Sequence, residues 1–300
     1  MKTSTKWLFK KHGWRLDRTL HNYIYYRFYY PYVKVLYRFV QGLGYAAWFR
    51  PLAPLGRMIF NRYHAKVLSF SDTRKIFSLN EDVHLVSDDN KKIIPYKYAT
   101  KILFSEPTHI AVMDCPCKLA TRAPAEDIAS CLAVGKQLTE FWLDHCQNYH
   151  PRKITQAEAM DLVCRFRQKG HINQAFLKVA TGGCTGVICN CHPETCVSLK
   201  ATKAASRIDK NLSMSAESGY SVSHNPALCT HCGTCEAVCH FGAVQFVNGS
   251  RVYDRSKCLG CDLCVGRCPE GALSLYSDPD KSLPMDLDML QTAAKRAGCN

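Results

Sequence analysis

The sequence predicts an α+β fold in four parts: a helical basic N-terminal arm, a mixed α/β middle module, a C-terminal domain of short antiparallel hairpins, and a polar tail. Three observations lead to this division. Positive charge and tyrosine are concentrated in the first part, cysteines gather in the second, and one cysteine pattern occurs twice in the third. The predicted boundaries are residues 1–66, 67–218, 219–276 and 277–300.

The N-terminal arm carries nearly all of the chain's excess positive charge. Residues 1–80 hold fifteen Lys and Arg against two Asp, a net +13 of the formal +14. Seven tyrosines lie between residues 21 and 40, and helical spacing puts Arg27, Lys34 and Arg38 near one face. Pro31 is expected to kink or interrupt any helix here, because proline lacks a backbone N–H and its ring crowds the preceding turn.

Two uses of the arm follow from this composition. Its longest uncharged stretch, Phe39–Phe49, has eleven residues, whereas a transmembrane helix needs about 20. Cations among tyrosines suit an anionic membrane surface, and they also suit a helix packed on the body or on a partner subunit. Both alternatives stay open for residues 1–66. Nucleic-acid binding is disfavoured, since no recognised binding module accompanies the charge.

The first half of the middle module is predicted to contain a strand and a helix. The apolar run His109–Met113 predicts a buried strand, which ends in the C-x-C motif of Cys115 and Cys117. A helix is expected over Ala125–Cys146, with Cys131 on an early turn.

A second helix of the middle module begins after Thr155. Thr155 and Glu158 form a capping box, and Gly170 marks the end of the helix. Cys164 on this helix is predicted to be a buried, inert thiol. His171, just beyond it, is expected to hydrogen-bond local backbone groups.

Cysteine is too frequent in the middle module to be explained by packing. Four cysteines lie within thirteen residues among glycines, which allow tight turns, and with Cys115, Cys117 and Cys131 they make seven thiols. Seven thiols suffice for a third iron–sulfur cluster or a zinc site. Two C-x-C pairs form the most economical ligand set, Cys115, Cys117, Cys189 and Cys191. The substitutes are Cys131, Cys184, Cys196 and His192.

The pattern C-x2-C-x2-C-x3-C occurs twice, with an offset of 29 residues. This spacing predicts two [4Fe-4S] clusters, because three closely spaced thiolates wrap one cluster while the fourth reaches its neighbour. A zinc ribbon would need only four ligands. The predicted ligands are Cys229, Cys232, Cys235 and Cys268 for cluster one, and Cys258, Cys261, Cys264 and Cys239 for cluster two.

Short strands are expected beside the cluster loops. They are predicted at Tyr220–Ser223, Ala243–Val247, Arg251–Asp254 and Ala272–Tyr276, with a hairpin turn at Asn248-Gly249. Residues 277–300 are predicted to form a polar surface tail.

These motifs resemble the two-[4Fe-4S] bacterial-type ferredoxin domain over about residues 219–276. His240 departs from that family, which has proline after this cysteine, and it offers a hydrogen-bond donor near cluster two. The motif order of the whole chain, with D-C-P-C-K, a lone Cys131, I-C-N-C and the two repeats, is similar to a largely unassigned family of cytoplasmic 4Fe-4S dicluster-domain proteins. In that family further cysteines follow C-N-C at once, whereas here residues 192–195 intervene before Cys196.

The sequence therefore favours an iron–sulfur electron-transfer protein over a stand-alone enzyme. It would pass single electrons through two [4Fe-4S] clusters, with a third iron–sulfur or zinc centre in the middle module, between a redox protein donor and acceptor. One alternative is a reductase-type enzyme whose middle module holds a substrate-binding cluster fed by the ferredoxin-like domain. Another is a structural or regulatory zinc module. No catalytic residue is assigned.

The expected location is the cytoplasm, with peripheral attachment at the inner face of the membrane as an option for the arm. Cluster thiolates need a reducing compartment. Residues 1–14 lack the apolar core of a signal peptide. No nucleotide-binding fingerprint is present, so a flavin or nicotinamide would belong to a separate protein.

Overall fold

A computed structural model describes residues 27–46, 63–85, 102–178, 186–205 and 213–288. Most of the arm, Cys184 and Cys299 lie outside these ranges. No helix within them is both long and apolar enough to cross a membrane.

Helices and strands alternate along most of the described chain. In chain order the helices are α1 Tyr29–Ala46, α2 Phe70–Phe77, α3 Pro116–Thr121, α4 Ala125–Ile128, α5 Lys136–His145, α6 Gln156–Gln168, α7 Val197–Ala205, α8 Thr234–Ala237 and α9 Leu263–Arg267. The strands are β1 Tyr63–Leu68, β2 Val83–Leu85, β3 Ile102–Phe104, β4 Ile110–Asp114, β5 Ala129–Val134, β6 Arg152–Ile154, β7 Ile172–Lys178, β8 Val187–Cys191, β9 Ser215–Ala216, β10 Tyr220–His224, β11 Val244–Val247, β12 Ser250–Tyr253 and β13 Leu273–Ser277.

A mixed sheet forms the centre of the molecule. Its described strands run in the order β6-β4-β5-β8-β7-β1-β9, and every pairing is antiparallel except that of β1 with β9. Strand β4 confirms the predicted buried strand. Strand β1 spans positions 66 and 67, so the predicted division between arm and middle module falls inside this sheet.

Helices cover both faces of the central sheet. Successive side chains of a strand point to opposite faces, so each strand contributes side chains to both sides. Helices α1, α5 and α7 pack on the face to which Ala111 and Cys131 contribute. Helices α2 and α6 pack on the other face, where Ile110 and Leu132 lie. The sheet is therefore the middle layer of three.

Helix α1 continues through Pro31, so the predicted interruption is wrong. Pro31 lies in the first turn, where a helix has no intrahelical partner for its N–H groups. Tyr29, Val33 and Val40 are buried against the body, which is what packing of the arm on the body predicts for this segment.

The single helix predicted over Ala125–Cys146 is also wrong. The segment contains the short helix α4, strand β5 and helix α5, and Cys131 lies on β5 rather than on a helical turn. The buried run from Ser130 to Val134 pairs with strands on both sides. Gly135, at φ +101, separates β5 from α5.

Helix α6 has the Thr155 part of the predicted capping box, while the Glu158 carboxylate pairs with Arg152 at 2.6 Å. The Thr155 side chain accepts a hydrogen bond from the Glu158 backbone N–H at 3.1 Å. The helix ends at Gln168, and Gly170 follows with φ +84. This helix end contacts the C-terminal part of the chain.

Near the C-terminus β10 pairs with β13 and β11 pairs with β12, both antiparallel, and β11 and β12 form the predicted hairpin. Asn248 and Gly249 both have positive φ, 50° and 74°, as a tight hairpin turn requires.

The polar segment after residue 277 is not a surface tail as far as residue 288. Met285 and Leu287 are buried in the core beside α2 and α6. Two apolar side chains anchor this stretch, although its overall composition is polar.

Candidate iron–sulfur centres

The first cysteine cavity lies at the outer end of the C-terminal domain. This pocket, here called cavity one, encloses about 340 Å³ of space, part of it open to solvent, and is lined by all four predicted ligands of cluster one. Three come from the first repeat, Cys229, Cys232 and Cys235, and Cys268 comes from the second. Cys232 is exposed, so cavity one adjoins solvent.

The second cavity of this domain, cavity two, has a volume of about 360 Å³. It is lined by the four predicted ligands of cluster two, Cys239, Cys258, Cys261 and Cys264. Each cavity therefore takes three cysteines from one repeat and the fourth from the other, the arrangement that the spacing predicts.

The two repeats hold their cysteines by equivalent local contacts. The backbone N–H of Ala243 points at Cys239 Sγ at 3.3 Å, and that of Ala272 points at Cys268 Sγ at the same distance. Asn225 and Asp254, also 29 residues apart, cap the turns that precede Cys229 and Cys258. Backbone N–H groups aimed at sulfur are suited to a cluster thiolate.

Cavity one is also lined by polar groups that lack partners. Among the described residues, His224 Nε2 and the Nε and Nη2 atoms of Arg251 are buried without a hydrogen-bond partner. Buried donors are normally satisfied, so a group that accepts hydrogen bonds fits this space. The sulfides and thiolates of a cluster are acceptors of this kind.

Comparison with known proteins supports this assignment. Residues 228–272 match the 4Fe-4S dicluster domain. Over 50 residues the chain is 36% identical to an uncharacterized ferredoxin of Methanocaldococcus jannaschii, a match that covers 16% of this chain and 30% of that protein. The rest of this chain lies outside both matches.

The two cavities of the dicluster domain differ in their surroundings. Around cavity two, Arg167 on α6 forms an ion pair with Asp262 and donates to the Cys261 carbonyl at 3.3 Å. Asp262 also accepts a hydrogen bond from the Phe70 backbone N–H at 2.8 Å. These contacts attach cavity two to α6 and to the start of α2, which precede the dicluster domain in the chain, whereas cavity one includes the exposed Cys232.

One pair of equivalent residues shows this difference most clearly. His231 and Gly260 occupy the same place in the two repeats, with φ 55° and 67°. His231 is exposed. At Gly260, an added Cβ would collide with the Ser218 side chain and the Tyr220 carbonyl. Only glycine therefore fits where the body closes over cavity two.

A third cysteine cavity lies in the middle module, outside the family match. This middle cavity has a volume of about 350 Å³, close to the volumes of the other two. Six cysteines line it: Cys115, Cys117, Cys131, Cys189, Cys191 and Cys196. The structure thus gathers the predicted set of four ligands together with two of the predicted substitutes.

The fold explains why these thiols meet. Cys189 and Cys191 lie two residues apart on β8, so they point to the same face of the sheet. Cys131 is directly opposite Cys189 in the β5–β8 register, with 3.6 Å between the two Sγ atoms. Neighbouring thiols interact in an unbroken row, in the order Cys117, Cys115, Cys131, Cys189, Cys191 and Cys196.

The thiols of the middle cavity differ in acidity. Hydrogen bonds from Cys117 and Cys131, with the nearby Lys118 ammonium, hold the pKa of Cys115 well below its usual range. The pKa of Cys131 is raised well above its usual range by its thiol neighbours and by burial, and burial does the same to Cys191. Metal binding here would release several protons, because a thiol binds metal as the thiolate.

Lys118 supplies a buried positive charge at the middle cavity. Only 1% of this residue is exposed, and its Nζ donates to the Asp127 carbonyl at 2.8 Å. Thr195 Oγ1, on the same wall, is buried with no hydrogen-bond partner in the part of the chain that the structure describes. A cation and an unused donor fit an anionic cluster with several thiolates.

Within the described ranges no three His, Cys, Asp or Glu side chains converge as ligands of a single ion do. This is true of the middle cavity and of cavities one and two alike.

The remaining candidates lie elsewhere. His192 does not line the middle cavity, and Cys184 is outside the described residues. Tyr29 and Lys118, which do line it, were not predicted from the sequence. Lys118 directly follows Cys117, so its position was a usable signal. Nothing in the sequence placed Tyr29 over a site some 90 residues later in the chain.

Proposed function

We propose that the protein transfers single electrons through three iron–sulfur centres, two in the dicluster domain and one in the middle cavity. The observation that carries the third centre is the middle cavity itself, in which six thiols line a void with the volume of the two dicluster cavities. A bound cluster takes up or releases one electron at a potential set by hydrogen bonds, charge and exposure.

The three centres differ in how far they are buried, and this difference sets the order in which electrons would pass through them. Cavity one, with exposed Cys232, is the point at which a redox protein exchanges electrons. Leu228, Val247 and Val252 stay about half exposed on this domain, at 49%, 51% and 48%, and they suit a partner's apolar contact surface. Cavity two lies against the body, and the middle cavity is the inner end of the path.

Helix α1 supports a second proposal, attachment to an anionic membrane surface. Its outer side exposes Arg27, Lys34 and Arg38 beside Phe28 and Val35, and the helix contains no acidic residue. Cations together with exposed apolar side chains are what interfacial binding uses. The inner side of the same helix puts Tyr29 over the middle cavity.

Liposome co-sedimentation tests this attachment. Vesicles containing anionic lipid should bind the protein, salt should weaken that binding, and Arg27→Gln/Lys34→Gln/Arg38→Gln should reduce it. The control Arg74→Gln/Lys153→Gln/Lys203→Gln removes the same charge from other exposed positions. Equal loss in both triple variants would show that only net charge matters.

The six thiols also favour a second candidate function. A cubane cluster needs four protein ligands, so two cysteines of the middle cavity are in excess. A centre with an exchangeable ligand could bind a small substrate, and the dicluster domain would supply the electrons. A small ligand would then change the spectrum of the middle centre without affecting the other two.

A potentiometric titration followed by EPR tests the main proposal. Anaerobically purified protein should show one-electron reduction of the two dicluster centres and a further signal from the middle centre. Zinc in the middle cavity, with signals from the dicluster domain alone, would contradict the third centre and leave the function of a two-cluster carrier.

A further inference from the structure

Two histidines meet between the middle cavity and cavity two. The ring centroids of His192 and His240 are 4.8 Å apart, and the rings are close to perpendicular, at 74°. His192 directly follows Cys191, which lines the middle cavity, and His240 directly follows Cys239, which lines cavity two. One contact between two rings thus joins the immediate chain neighbours of two cysteines that belong to different cavities.

The surrounding residues hold this contact in place. His240 Nε2 donates a hydrogen bond to the Gly170 carbonyl at 2.7 Å, just beyond the end of α6. His171 lies on the other side of His192, with 5.3 Å between the ring centroids, and is itself buried. Arg267 also donates to carbonyl groups at the end of α6. Both rings are therefore fixed by the junction between the two parts of the molecule.

The internal repeat shows that His240 is not needed to build a cluster loop. The equivalent position in the second repeat is Pro269, and Cys268 is placed by the same N–H contact as Cys239. The side chain of His240 instead makes the contact with the middle module. It is present only in the repeat that faces that module.

We propose that the His192–His240 contact is the route by which electrons pass between cluster two and the middle centre. This inference rests on the proposed function, because it requires a redox centre in the middle cavity. The rate of electron transfer between buried centres falls steeply as the distance between them increases, or as protein atoms between them are removed. Peptide bonds and two rings in contact give a continuous, packed path from Cys239 to Cys191. His192 and His240 act as positioning residues, which fix this path without binding the clusters.

Two variants interrupt the contact in different ways. His240→Pro gives the first repeat the residue that the second repeat already has, so clusters one and two should assemble normally. His192→Ala removes the other ring. The matched control is His231→Ala. It removes a histidine that directly precedes Cys232 of cavity one and that takes no part in the contact between His192 and His240.

The experiment is rapid freeze-quench EPR on the full, cluster-loaded chain with dithionite as reductant. Iron content is determined first. In both His240→Pro and His192→Ala, clusters one and two should be reduced as in the wild type, while reduction of the middle centre should be several-fold slower. His231→Ala should leave that rate unchanged.

The outcomes separate the two proposals. Full iron content with a wild-type rate at the middle centre in both variants would overturn the electron route and leave the third centre intact. A wild-type protein with only the eight irons of two [4Fe-4S] clusters would remove the third centre and the route with it. An unchanged EPR spin–spin coupling between cluster two and the middle centre, at unchanged iron content, would show that the distance between the centres is preserved, so that a slower rate reports on the route itself.

Discussion

The dicluster domain and the middle cavity gather cysteines in different ways. In the dicluster domain the ligands follow a fixed local spacing, and equivalent contacts hold both repeats. In the middle module the thiols come from the start of α3, from β5 and β8, and from the residue before α7. The dicluster cavities therefore arise mainly from local cysteine spacing, whereas the middle cavity, of nearly equal volume, arises from tertiary structure. A site of the second kind depends on the whole sheet.

The largest expected effect comes from removing middle thiols. Cys115→Ala/Cys189→Ala should abolish the third centre, because both residues lie in the row of six thiols, and it should leave the dicluster irons in place. Iron, sulfide and zinc analysis of anaerobically purified protein measures this. The control Cys146→Ala/Cys164→Ala alters two cysteines outside the cavity. Unchanged metal content in the first variant would mean that the middle thiols only pack.

The next largest effect is expected at the ion pair between Arg167 and Asp262, which attaches cavity two to α6. Arg167→Met leaves the buried Asp262 carboxylate without its ion pair, a change that typically costs about 3–5 kcal/mol. Thermal melting should show a clear loss of stability, and hydrogen exchange should rise at residues 261–263. As control, Arg255→Met removes the ion-pair partner of Asp278, a pair that involves neither Arg167 nor Asp262. If that control raised exchange at residues 261–263 equally, the junction would not be specific to Arg167.

A smaller effect should separate the two repeats. Gly260→Ala places a Cβ against Ser218 and Tyr220 in left-handed backbone, which alone costs about 1–2 kcal/mol. The equivalent change, His231→Ala, lies at an exposed position and should cost little. Melting temperatures of the two variants test this. Equal values would contradict the asymmetry between cavity one and cavity two.

The smallest expected effect is a dependence of folding stability on pH. Lys66 on β1 is fully buried, donating to the Glu217 carbonyl at 3.1 Å and to Ser282 at 3.0 Å, and burial lowers its pKa to about 7. The unfolded chain, with an ordinary lysine pKa, therefore binds more protons between about pH 7 and 10. Stability should rise with pH across that window, by at most about 1.4 kcal/mol per pH unit.

Lys66→Met should remove this contribution, so the melting temperature of the variant minus that of the wild type should fall as pH rises. The exposed Lys153→Met serves as control. A difference between Lys66→Met and wild type that stays constant from pH 7 to 10 would show that Lys66 stays charged in the folded protein across that range, as it does in the unfolded chain.

The sequence predicts the parts of this molecule that depend on neighbouring residues. The turn at Asn248-Gly249 and the cap at Thr155 each involve a few adjacent positions, and the structure has them as predicted. The cysteine spacing predicts the four cysteines that line each cavity of the dicluster domain, and their role as cluster ligands stays a prediction. Strand β4 was also predictable, because a short apolar run suffices for a buried strand.

The remaining features depend on partners that are distant in the chain. Cys131 was expected on a helix because its strand character comes from pairing with β4 and β8, which local periodicity does not reveal. Met285 and Leu287 are two apolar residues in a polar segment, and only the finished core shows where they fit. Likewise Pro31 could not be assigned to a first turn until the start of α1 was known.

Iron per chain is the most direct test of a third centre. Anaerobically purified protein should contain more iron and sulfide than two [4Fe-4S] clusters require, and no stoichiometric zinc. The excess should disappear in Cys115→Ala/Cys189→Ala. Eight irons per chain in both proteins, or one zinc per chain that the variant loses, would contradict a third iron–sulfur centre.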